Sequence, residues 1–331
     1  MVRKLSGLYI LLIIMENFLD PAILFFVFGV FAGLIKSNLS IPEPLTKFLS
    51  LYLLMGLGLK GGFALNESGF NTEIIITLLI AVFLAILVPI LGYNFLKHRL
   101  GRFDAAAISA TYGSVSAVTF ITASQFLDNN SISYGGHMAA AMALMESPAI
   151  IIAIYFGNRA NMYDKKEKNK IPTTVLIKDS LKDGAQLLLI GAMFVGFFSG
   201  KTGEQTMAPF SIDLFKGMLA FFLLDMGLQV AKNLGTILNK SKFLILYSLL
   251  GPPIHAIFAL ILARIFEVPL GDTVLLMILA ASASYIAVPA ALKYAIPKAD
   301  PTLYFGMSLG ITFPINILIG IPFYTWLAQT L

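Results

Sequence analysis

The fold is decided by two stretches of the sequence, Asp104-Ala-Ala-Ala-Ile-Ser-Ala-Thr-Tyr-Gly-Ser-Val-Ser116 and Asp272-Thr-Val-Leu-Leu-Met-Ile-Leu-Ala-Ala-Ser-Ala-Ser284. They align without a gap, so that the final Ser-x-Ser of one falls on the final Ser-x-Ser of the other. Each runs from an aspartate through apolar and small residues to these serines. Such self-similarity indicates that the chain contains two copies of one structural unit.

The composition places the chain in a lipid bilayer. Of its 331 residues, 58% are hydrophobic and only 12% are charged, and the mean hydropathy is +0.84. A soluble core cannot bury that much apolar surface. With no cysteine and three scattered histidines, the sequence predicts neither a disulfide framework nor a thiolate or histidine metal site. We expect no cofactor and no nucleic-acid partner.

Apolar stretches separated by short polar turns predict an all-α integral membrane protein with ten transmembrane helices, each about 20 residues long. The predicted spans are 21–36, 45–65, 74–96, 104–127, 135–157, 183–200, 209–231, 242–266, 272–295 and 302–329. All but six of the 23 lysines and arginines fall on one side of the predicted membrane. The six exceptions are Arg3, Lys4, Lys60, Lys201, Lys216 and Arg264. By the positive-inside rule the crowded side is cytoplasmic and both termini face outward.

The chain divides into two five-helix repeats, 1–157 and 183–331, joined by a basic cytoplasmic linker at 158–182. Because each repeat has an odd number of spans, the two repeats insert in opposite directions. Residues 1–15 fit this plan poorly, since the apolar run there is too short to span a bilayer. We weigh a signal peptide against an over-extended start with Met15 as the first residue, and favour the second.

The fourth and ninth spans are both expected to break near the membrane midplane and to cross there. Glycine lowers helix propensity, serine and threonine compete for backbone hydrogen bonds, and proline clashes with the preceding helical turn. Half-helices that meet at one point offer N–H groups to a small anion and carbonyl groups to Na⁺. The alternative is that these small residues only serve close helix packing. The predicted substrate-binding residues are Gly113, Ser114, Ser116, Thr119, Ser282 and Ser284.

Acidic residues inside predicted spans are candidates for function, because an unpaired carboxylate is costly in a bilayer. Glu146, beside Pro148, is expected to bind a cation or carry a proton, or else to sit protonated against a neighbouring helix. Asp225 is expected to pair with a polar group on another helix, and Asn316 lies at the repeat counterpart of the Glu146 region. The predicted Na⁺ ligands are Val115, Ser116, Glu146, Ala283 and Asn316. An intramembrane hydrolase is disfavoured, since Glu146, Asp225 and His255 lie on separate predicted helices and form no known motif.

The sequence also resembles a known family from about Met15 to its C-terminus. The residues that carry the resemblance are Gly58-Leu59-x-Gly61-Gly62, Gly113-x-Val115-Ser116-x-x-Thr119, Glu146-Ser147-Pro148-Ala149, Ala280-Ala281-Ser282-x-Ser284, and Ile296-Pro297 followed by Pro301. The family is that of the cyanobacterial sodium-dependent bicarbonate transporters and their wider bacterial relatives. The resemblance implies a bacterial plasma membrane location, Na⁺-driven bicarbonate uptake, a core that moves against a gate domain, and a homotrimer. It also implies serine ligands for the substrate between the broken fourth and ninth helices and, in some relatives, inhibition by a cytosolic PII-like protein.

This chain departs from the family pattern in two spans. Where the family has an acidic residue after Ser-x-Ser in the ninth span, Tyr285 stands, and Ala287 and Val288 replace a polar residue and a glycine. In the fifth span, Glu146 replaces the family aspartate. We therefore predict a Na⁺-coupled transporter of a small anion, bicarbonate first, in which Tyr285 gates or blocks the site. Alternatives are a proton-coupled carrier that uses Glu146, a carrier of another small carboxylate, and a sensor that has lost transport.

Overall fold

The computed structural model describes residues 14–69, 71–163, 184–238, 241–286, 288–289, 291–292 and 296–331. Within these ranges helices are the only regular secondary structure, and no strand occurs. The all-helical class predicted from the sequence is therefore confirmed. The first 13 residues, and with them most of the segment interpreted as an over-extended start, lie outside the described residues, as does the predicted linker from residue 164 onward.

Polar side chains and prolines mark where several helices begin. The Asp20 carboxylate accepts a hydrogen bond from Ala22 N at 2.8 Å, and the Asn71 side chain accepts one from Ile74 N at 2.9 Å, so each satisfies an N–H that its helix leaves unpaired. The described helices are α1 (Pro21–Leu34), α2 (Glu43–Ser68), α3 (Thr72–Leu96), α4 (Arg102–Gly113), α5 (Ala117–Asn129), α6 (Met138–Tyr163), α7 (Gly184–Ala208), α8 (Phe215–Leu238), α9 (Lys242–Ile265), α10 (Leu270–Ala281) and α11 (Pro301–Thr330).

Seven segments in the described part of the chain are long and apolar enough to cross a membrane. They are Glu43–Ser68, Thr72–Leu96, Arg102–Asn129, Met138–Gly157, Gly184–Asn233, Lys242–Ile265 and Pro301–Thr330. Pro21–Leu34 and Leu270–Ala281 are apolar but shorter. The 50 residues of Gly184–Asn233 would measure about 75 Å as one straight helix, more than twice the thickness of the hydrocarbon core. Gly200, with φ 53° and ψ −146°, breaks this segment where the predicted sixth span ends. The count of ten crossing helices stays a prediction.

Glycines let two pairs of helices approach closely. α1 packs along α8, where a Cβ on Gly29 would lie 2.2 Å from Leu224 O, and α2 packs along α7, where a Cβ on Gly196 would lie 2.5 Å from Leu59 O. Small residues of this kind let membrane helices touch backbone to backbone. The first helix of each sequence half therefore packs against the second helix of the other half.

Two aspartates tie the halves together at their helix starts. Asp104, in the first turn of α4, accepts a hydrogen bond from Asp300 N at 2.8 Å, just before α11. Asp272, in the first turn of α10, accepts one from Gly135 N at 2.6 Å, just before α6. These are the aspartates that open the two aligned stretches of sequence. Each fixes the segment that leads into a helix of the opposite half.

We expect Gly196→Ala to destabilise the protein, because the added methyl group meets the α2 backbone. The cost of such overpacking is about 1–3 kcal/mol, which thermal unfolding of the purified protein in detergent measures as a lower midpoint. Gly191→Ala is the matched control, since it lies on the same helix and a Cβ there meets nothing within 4 Å. Equal midpoints for the two variants would contradict the proposed role of Gly196.

Candidate functional site

Both helices predicted to break are interrupted at their serines. α4 ends at Gly113, the next residue is extended, and α5 begins after Ser116, whose hydroxyl accepts a hydrogen bond from Thr119 N at 3.2 Å. α10 ends at Ala281, and Ser282 is extended in the same way. The interruptions occur where a serine hydroxyl offers the backbone a partner outside the helix. The predicted interruption of the fourth span is therefore seen between α4 and α5, and α10 ends at the serines where the ninth span was predicted to break. That the two spans break near the membrane midplane and cross there stays a prediction.

The two breaks contact each other directly through hydrogen bonds. Ser116 N donates to Ser282 Oγ at 3.0 Å, and Ser284 N donates to Thr111 O at 2.9 Å. Asn316, on a π-helical turn of α11, donates from Nδ2 to Ala281 O at 2.8 Å. Each of these bonds satisfies a backbone group that the broken helices leave unpaired, as a buried site in a membrane requires.

A cavity of about 130 Å³ lies beside the breaks. Ser116 and Ser284 line it together with Ala117 and Val118, the first two residues of α5. The first N–H groups of a helix have no intrahelical partner, and they form the positive end of its dipole. This end of the cavity is therefore suited to negative charge, and its volume has room for several water molecules or a small anion.

Glu146, on α6, lines the same cavity. Gln186, near the start of α7, donates a hydrogen bond from Nε2 to Glu146 Oε2. The site thus combines the positive end of α5 with one carboxylate and an amide, while no Lys or Arg lines the cavity among the described residues. Such an arrangement can hold an anion and a cation side by side.

Tyr285 forms part of the cavity wall. Its side chain is buried, with the ring edge-on to Phe313 at 5.2 Å between centroids and Oη 3.8 Å from Met226 Sδ. The ring therefore packs against α8 and α11 while the cavity stays open beside it. That it gates or blocks the site stays a prediction.

The predicted site residues divide into two groups by position. Those that line the cavity are Val115, Ser116, Glu146, Ser284 and Tyr285. Those that lie behind the cavity wall are Gly113, Ser114, Thr119, Ser282, Ala283 and Asn316. In the second group, Gly113 is packed so tightly that a Cβ would lie 2.5 Å from Pro89 Cδ. The Thr119 hydroxyl donates a hydrogen bond to Ser116 Oγ at 3.0 Å. Buried Ser114 Oγ has no hydrogen-bond partner within the described ranges.

Sequence reasoning missed several polar groups around the breaks. Gln186 faces Glu146, although the only signal in the sequence is one amide near the start of an apolar span. Behind the first break, Tyr112 Oη and Thr312 Oγ1 are 2.7 Å apart, and Thr312 Oγ1 donates to Ser248 O at 3.0 Å. This chain of hydrogen bonds connects α4 to α9 and α11. It satisfies buried polar groups that would otherwise be costly.

Asp225 lies outside the cavity and is paired, as predicted. Thr46 Oγ1 on α2 donates to Asp225 Oδ2 at 2.7 Å, and Gln229 Nε2 donates to the same oxygen at 2.8 Å. The prediction of a partner on another helix is confirmed. Over the residues that the structure describes, no group of three or more His, Asp or Glu side chains is placed to hold a metal ion.

We expect Ser282→Ala to lower stability, because it leaves the buried Ser116 N–H without its acceptor. An unsatisfied buried donor costs about 1–3 kcal/mol, measurable as a lower thermal midpoint. Ser109→Ala is the matched control, since the buried Ser109 hydroxyl donates to Ala106 O on its own helix. A loss in Ser109→Ala as large as in Ser282→Ala would contradict a special role for the bond between the breaks.

Comparison with known protein families gives one match over nearly the whole chain. The family model described as the Na⁺-dependent bicarbonate transporter superfamily matches residues 21–329, which is nearly the whole chain and includes both breaks and the cavity. A search of curated proteins finds no match. The match extends well beyond half of the sequence. The chain therefore belongs to the Na⁺-dependent bicarbonate transporter superfamily.

Proposed function

We propose that the protein is a secondary active transporter that couples Na⁺ entry to uptake of a small anion, bicarbonate first. The observation that carries this proposal is the cavity that Ser116, Ser284 and the start of α5 line together with Glu146. Membership of the superfamily supports a transport function over an enzymatic one.

The anion is held by neutral donors. Ser116, Ser284 and the first two residues of α5 line the cavity together. A helix N-terminus and hydroxyl donors favour a carboxylate-like anion without the cost of burying a fixed cation. The small volume favours bicarbonate or another short carboxylate over larger substrates.

The negative charges of Glu146 and of the substrate anion determine where the coupling ion binds. A carboxylate at Glu146 and a substrate anion in one small cavity repel each other, and the repulsion is strong where water is scarce. A cation bound between them removes this cost, so anion and cation bind best together. Na⁺ is the ion that suits the carboxylate, the hydroxyls and the carbonyl ends of α4 and α10. Proton binding at Glu146 is the alternative.

The proposed mechanism needs two inverted five-helix repeats. Their support is the reciprocal packing of α1 with α8 and of α2 with α7, together with the equivalent hydrogen bonds of Asp104 and Asp272. Inverted repeats allow the same site to open alternately to either side. With the cation-rich ends inside, both termini face outward and uptake proceeds toward the cytoplasm. A homotrimer and a cytosolic PII-like regulator are further proposals from the family resemblance.

Uptake into proteoliposomes tests the function. We expect labelled bicarbonate to accumulate with an inward Na⁺ gradient and to stop accumulating when K⁺ replaces Na⁺, with acetate and pyruvate as competing anions. Ser116→Ala should lower uptake because it removes a cavity hydroxyl and the cap of α5. Anion uptake that ignores the Na⁺ gradient would reject Na⁺ coupling. Anion-dependent thermal stabilisation without flux would indicate a sensor instead.

Glu146→Gln separates the two coupling ions. If Na⁺ is the coupling ion, the variant should need a higher Na⁺ concentration for half-maximal uptake, because one charged ligand is lost. If a proton is the coupling ion, the variant should lose accumulation driven by a pH gradient and keep anion exchange. Glu43→Gln, at the exposed start of α2, is the control and should leave both measurements unchanged.

A further inference from the structure

A basic pocket opens between α3, α4 and α6, at the end of the molecule that we expect to be cytoplasmic. Its cations are Lys97, which follows α3, Arg102, the first residue of α4, and Arg159, near the end of α6. The cavity measures about 550 Å³. Of the described residues that line it, three are cations and none is a carboxylate. It is separate from the cavity at the breaks.

The same pocket has an apolar wall deeper in the membrane. Ile90 on α3 and Ile151 and Tyr155 on α6 form this wall, with exposed fractions of 38%, 36% and 58%. Tyr93 and Phe156 stack at 3.9 Å and close its inner side. Since Ile90 precedes Lys97 by two helical turns, the wall lies about 10 Å from the cations along α3. In a bilayer, exposed isoleucines at that depth contact acyl chains.

We propose that this pocket binds the phosphate of an anionic phospholipid from the cytoplasmic leaflet, with an acyl chain along Ile90 and Ile151. Basic pockets between membrane helices on the cytoplasmic side suit acidic head groups. Arginines can donate two parallel hydrogen bonds to a phosphate, and lysine adds a point charge. Lys97 Nζ is held by Asn94 Oδ1 at 2.6 Å and lies 5.7 Å from the centre of the Tyr93 ring, which keeps the ammonium over the pocket.

The apolar wall favours a lipid over a soluble phosphate. A free phosphate needs only the cations, whereas a phospholipid also uses the exposed surface that leads from them into the bilayer. A bound lipid holds α3, α4 and α6 together at one end. Because α4 leads to the first break and α6 carries Glu146, such a lipid stabilises the helices around the proposed transport site. The proposal of a lipid site does not depend on which anion the protein transports.

Native mass spectrometry and thermal unfolding of the full-length protein in nanodiscs test the proposal. Discs of phosphatidylcholine are compared with discs that also contain phosphatidylglycerol, and inorganic phosphate is added to a further set of phosphatidylcholine discs. The pocket variant is Lys97→Gln with Arg102→Gln and Arg159→Gln. The control variant is Lys36→Gln with Lys47→Gln and Lys242→Gln, which removes the same charge from exposed positions at the same end of the molecule.

We expect the wild type and the control variant to retain phosphatidylglycerol and to be stabilised by it. The pocket variant should lose this preference over phosphatidylcholine, about fivefold for each charge removed. If it does not fold, Arg159→Gln alone should show the single-charge loss. An unchanged preference, or an equal loss in the control variant, would overturn the proposal. So would stabilisation by inorganic phosphate as large as that by phosphatidylglycerol, which would indicate a site for a soluble anion.

Discussion

The structure depends on one requirement of the bilayer: backbone groups freed inside it must find partners in the protein itself. α4 and α10 each end inside the molecule, which leaves carbonyl groups at their ends and N–H groups in the residues that follow without helical partners. The partners come from the opposite break, since Ser116 N donates to Ser282 Oγ and Ser284 N donates to Thr111 O. Neither break is satisfied without the other. The two interrupted segments are therefore expected to behave as one rigid unit.

The cavity lies between this unit and the helices α2 and α7. Ser116 and Ser284 belong to the breaks, whereas Ser50 and Gln186 belong to α2 and α7, which pack closely through glycines. The hydrogen bond from Gln186 to Glu146 joins α7 to α6 across the cavity. Any motion that separates these helices must break it. The bond thus lies where a core that moves against a gate would change its contacts.

A feature of the structure could be predicted from the sequence where neighbouring residues along the chain determine it, and could not where the packing of separate helices determines it. Serines 114, 116, 282 and 284 were found because weak helix formers interrupt two aligned apolar stretches, and the breaks lie there. The end of the predicted sixth span coincides with Gly200 because glycine adopts its positive φ without strain. Gln186 was missed because the direction in which a side chain faces depends on helix packing. Helix packing also decides which predicted ligands line the cavity and which lie behind its wall. Neighbouring residues on a helix point about 100° apart, so a ligand and the next residue along the chain face different surroundings.

The chemistry of the lining also bears on why a transporter would be built in this way. A fixed Lys or Arg would bind an anion tightly whether or not the coupling ion is present. The cavity lining, so far as the structure describes it, offers instead a helix N-terminus, hydroxyls and one carboxylate. Helix ends carry only about half a charge, so the anion gains full stabilisation only when a cation sits beside Glu146. Release of the cation then weakens the hold on the anion, and conduction through a membrane requires that bound species leave as well as enter. The lack of a fixed cation in this lining is what ties the two ions together in the proposed mechanism.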